Sequence, residues 1–357
     1  MAAKNVDEVT WQSWAREVFP EWGTWLNEEI DRTRVERGTF VMWWLANMGV
    51  WIKSDQQTSI AIDLWCGSGK RTHDVPNMSD RHQYVRSSGA SHPQPNLRIQ
   101  PIVIDPFSIR DLDALLVTHV HHDHLDLNVA AAILQNVDKD IPFIGPKYVT
   151  DQWMAWGVPR ERCVTVRPGD VIQVGDIEIT VTDSFDRTAL ITDCPGEPPV
   201  SDTDVPDMAD RSVSYVVKTS AGTIYHGGDS HFSTSFSEQG KAFDIDVALL
   251  AYAENPPSIQ DKMTSSDILR AAEALDCRVV IPLHWDIWSN TLADPYEIVD
   301  LWETRRERMR YPFNPFAWLP GGRFVYPRDI GVTDYAYDRG LEDHHTRKTN
   351  LPYKSFL

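Results

Sequence analysis

The stretch Thr118-His119-Val120-His121-His122-Asp123-His124 constrains the chain more than any other. Within it, His119, His121, Asp123 and His124 crowd directly behind the apolar run 114–117. Side chains alternate along an extended strand, so His119 and His121 emerge on the same side and aim at one point. Behind them Leu127, Ala130, Ile133, Leu134 and Val137 recur at helical spacing, which predicts a helix over 126–137 and puts Asp123 and His124 in the turn between strand and helix. Two adjacent metal ions suit that geometry, one on the first histidine pair and one on the Asp-His pair. His122 neighbours His121, should point the opposite way, and is read as a non-ligand.

The rest of the chain fits a globular protein: 42% of its 357 residues are hydrophobic, 24% are charged and 14 are Trp. A net charge of -18 removes the usual electrostatic source of nucleic-acid binding. Cys66, Cys163, Cys194 and Cys277 form no Cys-x-x-Cys pair, which argues against a disulfide framework or a thiolate zinc site and for the cytosol. The start MAAKNVDEVTW lacks the pattern of a signal peptide, and the apolar segment 40–52 is too short to span a bilayer, so a cytoplasmic protein with no membrane association is expected.

Taken in order, residues 11–34 carry an aromatic stripe (Trp11, Trp14, Phe19, Trp22, Trp25) over two short helices interrupted by Pro20 and Gly23. Its cover is the protein's own core or a subunit interface, and self-association is expected. Strands are expected at 39–44, 50–54 and 59–65. Asp63 in the third is either a structural carboxylate or a group that orients a metal-binding histidine. The polar, Gly/Pro-punctuated stretch 66–104 reads as a lid-like insertion, with Lys70, Arg71, Arg81, Arg86 and Arg98 giving it local positive charge suited to an anionic substrate. His73, His82 and His92 lack ligand spacing. Segments 163–166, 171–174 and 177–182 read as a β-meander, and 212–219 with 223–226 as a hairpin running into Gly227-Gly228-Asp229. There Asp229 is placed as a bridging carboxylate. Strand 278–283 ends in His284, a helix begins near 295, 323–326 forms a closing strand, and residues from 329 onward form a docked tail.

The order of strands, His-x-His-x-Asp-His turn, Gly-Asp turn and late strand ending in His resembles the metallo-β-lactamase superfamily over roughly residues 39–326. Within it the chain is similar to the L-ascorbate-6-phosphate lactonases almost end to end. That likeness is carried by Pro20-Glu21-Trp22-Gly23, Phe185-Asp186-Arg187-Thr188, His226 to His231, Asp261-Lys262-Met263-Thr264-Ser265, Asp286-Ile287-Trp288-Ser289-Asn290 and the terminal Lys354-Ser355-Phe356-Leu357. The resemblance implies one α/β unit over 1–357, a four-layer αββα sandwich with its metals at one edge of two sheets. It also implies metal ligands at His119, His121, Asp123, His124, Asp229 and His284. The superfamily's third histidine for the first ion, about sixty residues on, is replaced here by Asp183 or Asp186. Asp183 is taken as the candidate, and the harder donor favours Mn²⁺ over Zn²⁺, with one or two ions bound. The implied reaction is opening of a phosphorylated sugar-acid lactone, with Asp123 and His284 catalytic and with Arg187, Lys262 and Lys70 on the substrate phosphate. The competing readings are a phosphodiesterase or nuclease on the same scaffold, and a metal-stabilised binding protein without activity.

Overall fold

The computed structural model describes residues 5–18, 25–67, 98–192, 206–255, 261–288 and 291–336. After two N-terminal helices come the first six strands: β1 (Phe40–Trp44), β2 (Val50–Lys53), β3 (Ser59–Ile62), β4 (Ala114–Leu116), β5 (Phe143–Gly145) and β6 (Cys163–Thr165). Then come β7 (Val171–Val174), β8 (Ile177–Asp183), β9 (Val213–Lys218), β10 (Thr223–His226), β11 (Val247–Ala251), β12 (Val279–Leu283) and β13 (Asn314–Pro315), before β14 (Arg323–Tyr326) closes the first sheet against β1. The sheet orders are β14-β1-β2-β3-β4-β5-β6 and β13-β12-β11-β10-β9-β8-β7.

Alternation explains how these strands stack into layers. Phe40, Met42 and Trp44 of β1 and Ile60 and Ile62 of β3 face Val213, Tyr215 and Val217 of β9 and Val279, Ile281 and Leu283 of β12 in one inter-sheet core. The intervening residues face outward onto helices. Val41, Trp43, Ala61 and Leu115 meet α1 (Trp11–Val18), α2 (Trp25–Arg32), α3 (Leu127–Asn136) and α4 (Lys147–Trp156). On the other flank, Val216, Ala248, Leu250 and Val280 meet the longer helices of the second half. Because both faces of the central strands are buried, those strands read as unbroken apolar runs. The result is the four-layer αββα sandwich expected from the sequence.

One expectation is corrected. Residues 163–165 do not join the meander of 171–182 but pair in parallel with β5 at the edge of the first sheet, Phe143 opposite Cys163. Their half-exposed side chains give no local sign of which sheet they belong to. The 213–218 and 223–226 hairpin and the closing strand stand as read. Lys70 and most of the lid-like insertion lie outside the described residues, as does the tail from residue 337.

The two sheets are also joined by a polar tie. Tyr215, fully buried on β9, donates its hydroxyl proton to the Val117 carbonyl at 2.9 Å, just beyond β4. Tyr215→Phe keeps the ring but strands that carbonyl. It is expected to lower unfolding free energy by about 1–3 kcal/mol in urea melts, and an unchanged midpoint would show the tie to be dispensable.

Candidate metal centre

Parallel pairing aligns the carboxyl ends of β3 with β4 and of β10, β11 and β12 at one edge of the sandwich. The loops that leave this edge after β3, β4, β8, β10 and β12 carry the cluster. Asp63 follows β3 in a left-handed conformation (φ 51°) that Asp tolerates better than most residues. Its buried carboxylate accepts from the Thr118 amide at 2.7 Å, the Thr118 hydroxyl at 2.7 Å and His124 Nδ1 at 2.9 Å. Nδ1 of His124 therefore carries a proton, and Nε2 is the atom turned to the cluster.

His119 and His121 are also oriented through their second ring nitrogen. Thr118 Oγ1 has committed its proton to Asp63, so His119 Nδ1, 3.0 Å away, donates to it and leaves Nε2 as the lone-pair atom. Thr192 Oγ1 donates to the Thr188 carbonyl at 2.7 Å, so His121 Nε2, 3.0 Å distant, donates to Thr192 and offers Nδ1. His119 Nε2 and His121 Nδ1 consequently face each other at 2.8 Å with two lone pairs, an arrangement that calls for a cation between them.

Asp229, behind β10, joins both halves. Its approach requires Gly228 at φ 53°, where a Cβ would lie 2.9 Å from Thr118 Cβ. Asp229 Oδ2 lies 3.8 Å from His119 Nε2, 3.3 Å from His124 Nε2 and 3.6 Å from His284 Nε2. Asp123 Oδ2 lies 3.8 Å from His124 Nε2 and 3.4 Å from His284 Nε2. His119, His121 and Asp229 form one ligand-competent group, and Asp123, His124 and His284 another.

Does the cluster fit a metal? Asp186 Oδ2, Asp229 Oδ1, His124 Nε2 and both ring nitrogens of His284 are buried without a hydrogen-bond partner. Polar atoms are rarely buried unsatisfied, and several aimed at one point are what divalent-cation ligands require. Electrostatics agree. Burial and the neighbouring His124 and His121 hold His119 well below the usual imidazole range, and burial lowers His121 to about 4. Burial opposes a proton on His124, but Asp229, Asp123 and Asp63 outweigh it and push that imidazole well up. Positive charge is wanted there.

The structure thus brings together His119, His121, Asp123, His124, Asp229 and His284. His122 is half-buried, its ring turned toward Trp65 and Trp288 with centroids 6.3 and 5.9 Å away. Asp183 is a correction: it ends β8 with its side chain exposed, on the opposite face from buried Thr182. Asp186, three residues on, is the carboxylate that reaches the cluster. Its Oδ1 caps the short helix α5 (Arg187–Ile191), accepting from the Thr188 and Ala189 amides at 2.9 Å, and its Oδ2 lies 3.6 Å from His119 Nε2. Burial, then the charge of Asp229, pushes Asp186 up to about 7. Its one local mark is that of an N-capping Asp before a helix of only five residues.

The residues named for the substrate phosphate are placed less uniformly. Lys262 turns inward, its ammonium 3.0 Å from Asp229 Oδ2 and 3.1 Å from Asp261 Oδ2. Burial opposes its charge, but those two carboxylates outweigh it and raise its pKa. Arg187 is half-buried at the first position of α5, beside Asp186.

The model of the β-lactamase superfamily domain matches residues 88–285. Among solved structures, the metallo hydrolase Igni18 from Ignicoccus hospitalis superposes with a TM-score of 0.53 at 16% identity, covering 81% of this chain and 98% of its own. An isothiocyanate hydrolase from Delia radicum gut bacteria gives 0.54 at 16% identity, covering 80% and 98%. The chain therefore belongs to the β-lactamase superfamily, with the fold of its metallo-hydrolases. Two full-length relatives, from Escherichia coli (strain SMS-3-5 / SECEC) and Escherichia fergusonii, are each 53% identical over 353 residues, 99% of both chains. Both carry the name "Probable L-ascorbate-6-phosphate lactonase UlaG".

Proposed function

We propose that the protein is a metal-dependent lactonase that opens the ring of L-ascorbate 6-phosphate to give 3-keto-L-gulonate 6-phosphate. Full-length identity of 53% to proteins named for that activity carries the reading, and the convergent cluster supplies its chemistry. His119, His121, Asp186 and Asp229 would hold one divalent ion, and Asp123, His124, His284 and Asp229 a second. With Asp186 standing where the superfamily has an imidazole, oxygen donors gain weight and Mn²⁺ is favoured over Zn²⁺. A divalent ion in such a site lowers the pKa of water toward neutrality and polarises a carbonyl.

The chain's own residues do the rest. Asp123 Oδ2 takes the proton of the attacking water as its oxygen bonds to the lactone carbonyl carbon. The ring C–O bond then breaks, and Asp123 passes that proton to the leaving oxygen, which restores the carboxylate. His284, 3.4 Å from that Asp123 oxygen, holds the carboxylate side of the site in place. Lys262, Arg187 and Lys70 provide the positive charge for the substrate's phosphate. The whole chain is proposed to act as one unit, as a homo-oligomer through the N-terminal aromatic segment, where Trp11 is 47% exposed. A cytoplasmic setting fits the free thiols of Cys66, Cys163 and Cys277. Among the described residues no helix is long and apolar enough to cross a membrane.

Chelated protein titrated with Mn²⁺ or Zn²⁺ tests the proposal. Ascorbate 6-phosphate should turn over only after metal is added, and faster with Mn²⁺. No turnover with either ion would overturn the lactonase reading. Hydrolysis of RNA or a cyclic nucleotide in its place would hand the site to phosphodiester chemistry.

A further inference from the structure

Asp123 is held from two sides by residues that the reaction scheme leaves without a role. Its main-chain carbonyl accepts from Asn47 Nδ2 at 2.7 Å. Asn47 lies in the β1–β2 turn, in the left-handed region at φ 55°, and its own carbonyl accepts from the His284 amide at 3.2 Å. That one turn ties together the two loops that carry Asp123 and His284. At the other end of Asp123, Oδ2 accepts from the indole Nε1 of Trp288 at 3.2 Å.

The indole has little freedom of its own. Trp288 is buried, packs on Trp65 with ring centroids 5.2 Å apart, and its main chain bridges to Arg98. Arg98 in turn lies 4.5 Å above the Trp65 ring and donates to the Trp65, Gly67 and Gln100 carbonyls. An indole N–H donates only: it neither ligates a cation nor takes a proton in this pH range. A donor fixed in this way sets the rotation of the carboxylate and favours its ionised form.

We propose that Trp288 is a positioning residue for Asp123, its Nε1–H fixing which carboxylate oxygen faces the histidines. The inference rests on the reading of Asp123 as ligand and proton acceptor. A second observation separates Trp288 from a purely packing residue: the contact joins two loops from different sheets at the one oxygen that also lies 3.4 Å from His284 Nε2.

Trp288→Phe removes the donor and keeps an aromatic ring. Calorimetric titration of the chelated variant with Mn²⁺ should show affinity weakened about 10- to 100-fold, the usual cost of losing a partner that orients a ligand. Turnover should show kcat falling with KM little changed. In an Asp123→Ala background, which removes the acceptor of that bond, Trp288→Phe should add almost nothing to either loss. Should the smaller ring unsettle folding, Trp288→benzothienylalanine, which exchanges only N–H for sulfur, should reproduce the affinity loss at an unchanged melting temperature. Parental Mn²⁺ affinity in a folded variant, or losses that multiply independently of Asp123→Ala, would overturn the proposal. Because the Mn²⁺ titration needs no substrate, it still decides if the parent protein fails to hydrolyse ascorbate 6-phosphate.

Discussion

Asp123→Asn is expected to lower kcat by about 10²- to 10⁴-fold, the range associated with losing a positioned general base, while the protein folds as before. The substitution is close to isosteric. The main-chain carbonyl at position 123 keeps its bond from Asn47, and the side-chain oxygen of Asn can still accept from Trp288. The charge is what disappears. Burial opposes ionisation of Asp123, yet His124 and His284 hold its carboxyl well below the usual range, so in the parent it is an anion at every working pH. An amide cannot accept the proton of the attacking water, and it is a poorer partner for a divalent ion. Single-turnover measurements at saturating Mn²⁺ separate the two deficits: restored metal occupancy with chemistry still slow assigns the loss to proton transfer. Turnover at the parental rate would remove Asp123 from the mechanism.

How far the centre could be read from the chain depended on the range of the signals involved. The turn at 119–124 was legible because strand alternation before it and helical spacing after it are both local, and Asp126 indeed caps α3 by accepting from the Asn128 amide. Asp229 is legible from the Gly227-Gly228 turn that follows a strand, and His284 from its place at the end of the apolar run 278–283. Asp186 is not distinguishable from Asp183 in the sequence, since a five-residue helix is too short to leave a periodic trace, and without that helix the capping Asp has nothing to announce it. Sheet membership of 163–165 is a tertiary property that alternation does not encode. Trp288 bonds to Asp123 across 165 positions, a pairing that only the docking of the two sheets brings about.

Asp63 had two readings in the sequence, structural carboxylate or orienter of a histidine, and the geometry shows that it serves both, which makes Asp63→Asn a severe substitution. Asn accepts the left-handed backbone at position 63, so strain does not enter. The Asn oxygen can keep the Thr118 amide. Its NH₂ group, however, replaces the oxygen that now accepts from both the Thr118 hydroxyl and His124 Nδ1. Facing a donor, His124 must accept through Nδ1 and move its proton to Nε2. The Thr118 hydroxyl must likewise accept from the amide and send its own proton to His119 Nδ1, which moves the His119 proton to Nε2. Both imidazoles then present N–H to the place where a cation would sit, one in each half of the cluster. Mn²⁺ affinity measured calorimetrically should fall by about 10- to 100-fold. Metal-free stability in denaturant should drop by about 1–3 kcal/mol for the disrupted buried network. Trp288→Phe acts on the Asp123 half alone, whereas Asp63→Asn reverses a ring in each half. Its loss should therefore persist in an Asp123→Asn background. Parental affinity in Asp63→Asn would mean that the histidine tautomers are set by the metal itself and not by the Asp63-Thr118 relay.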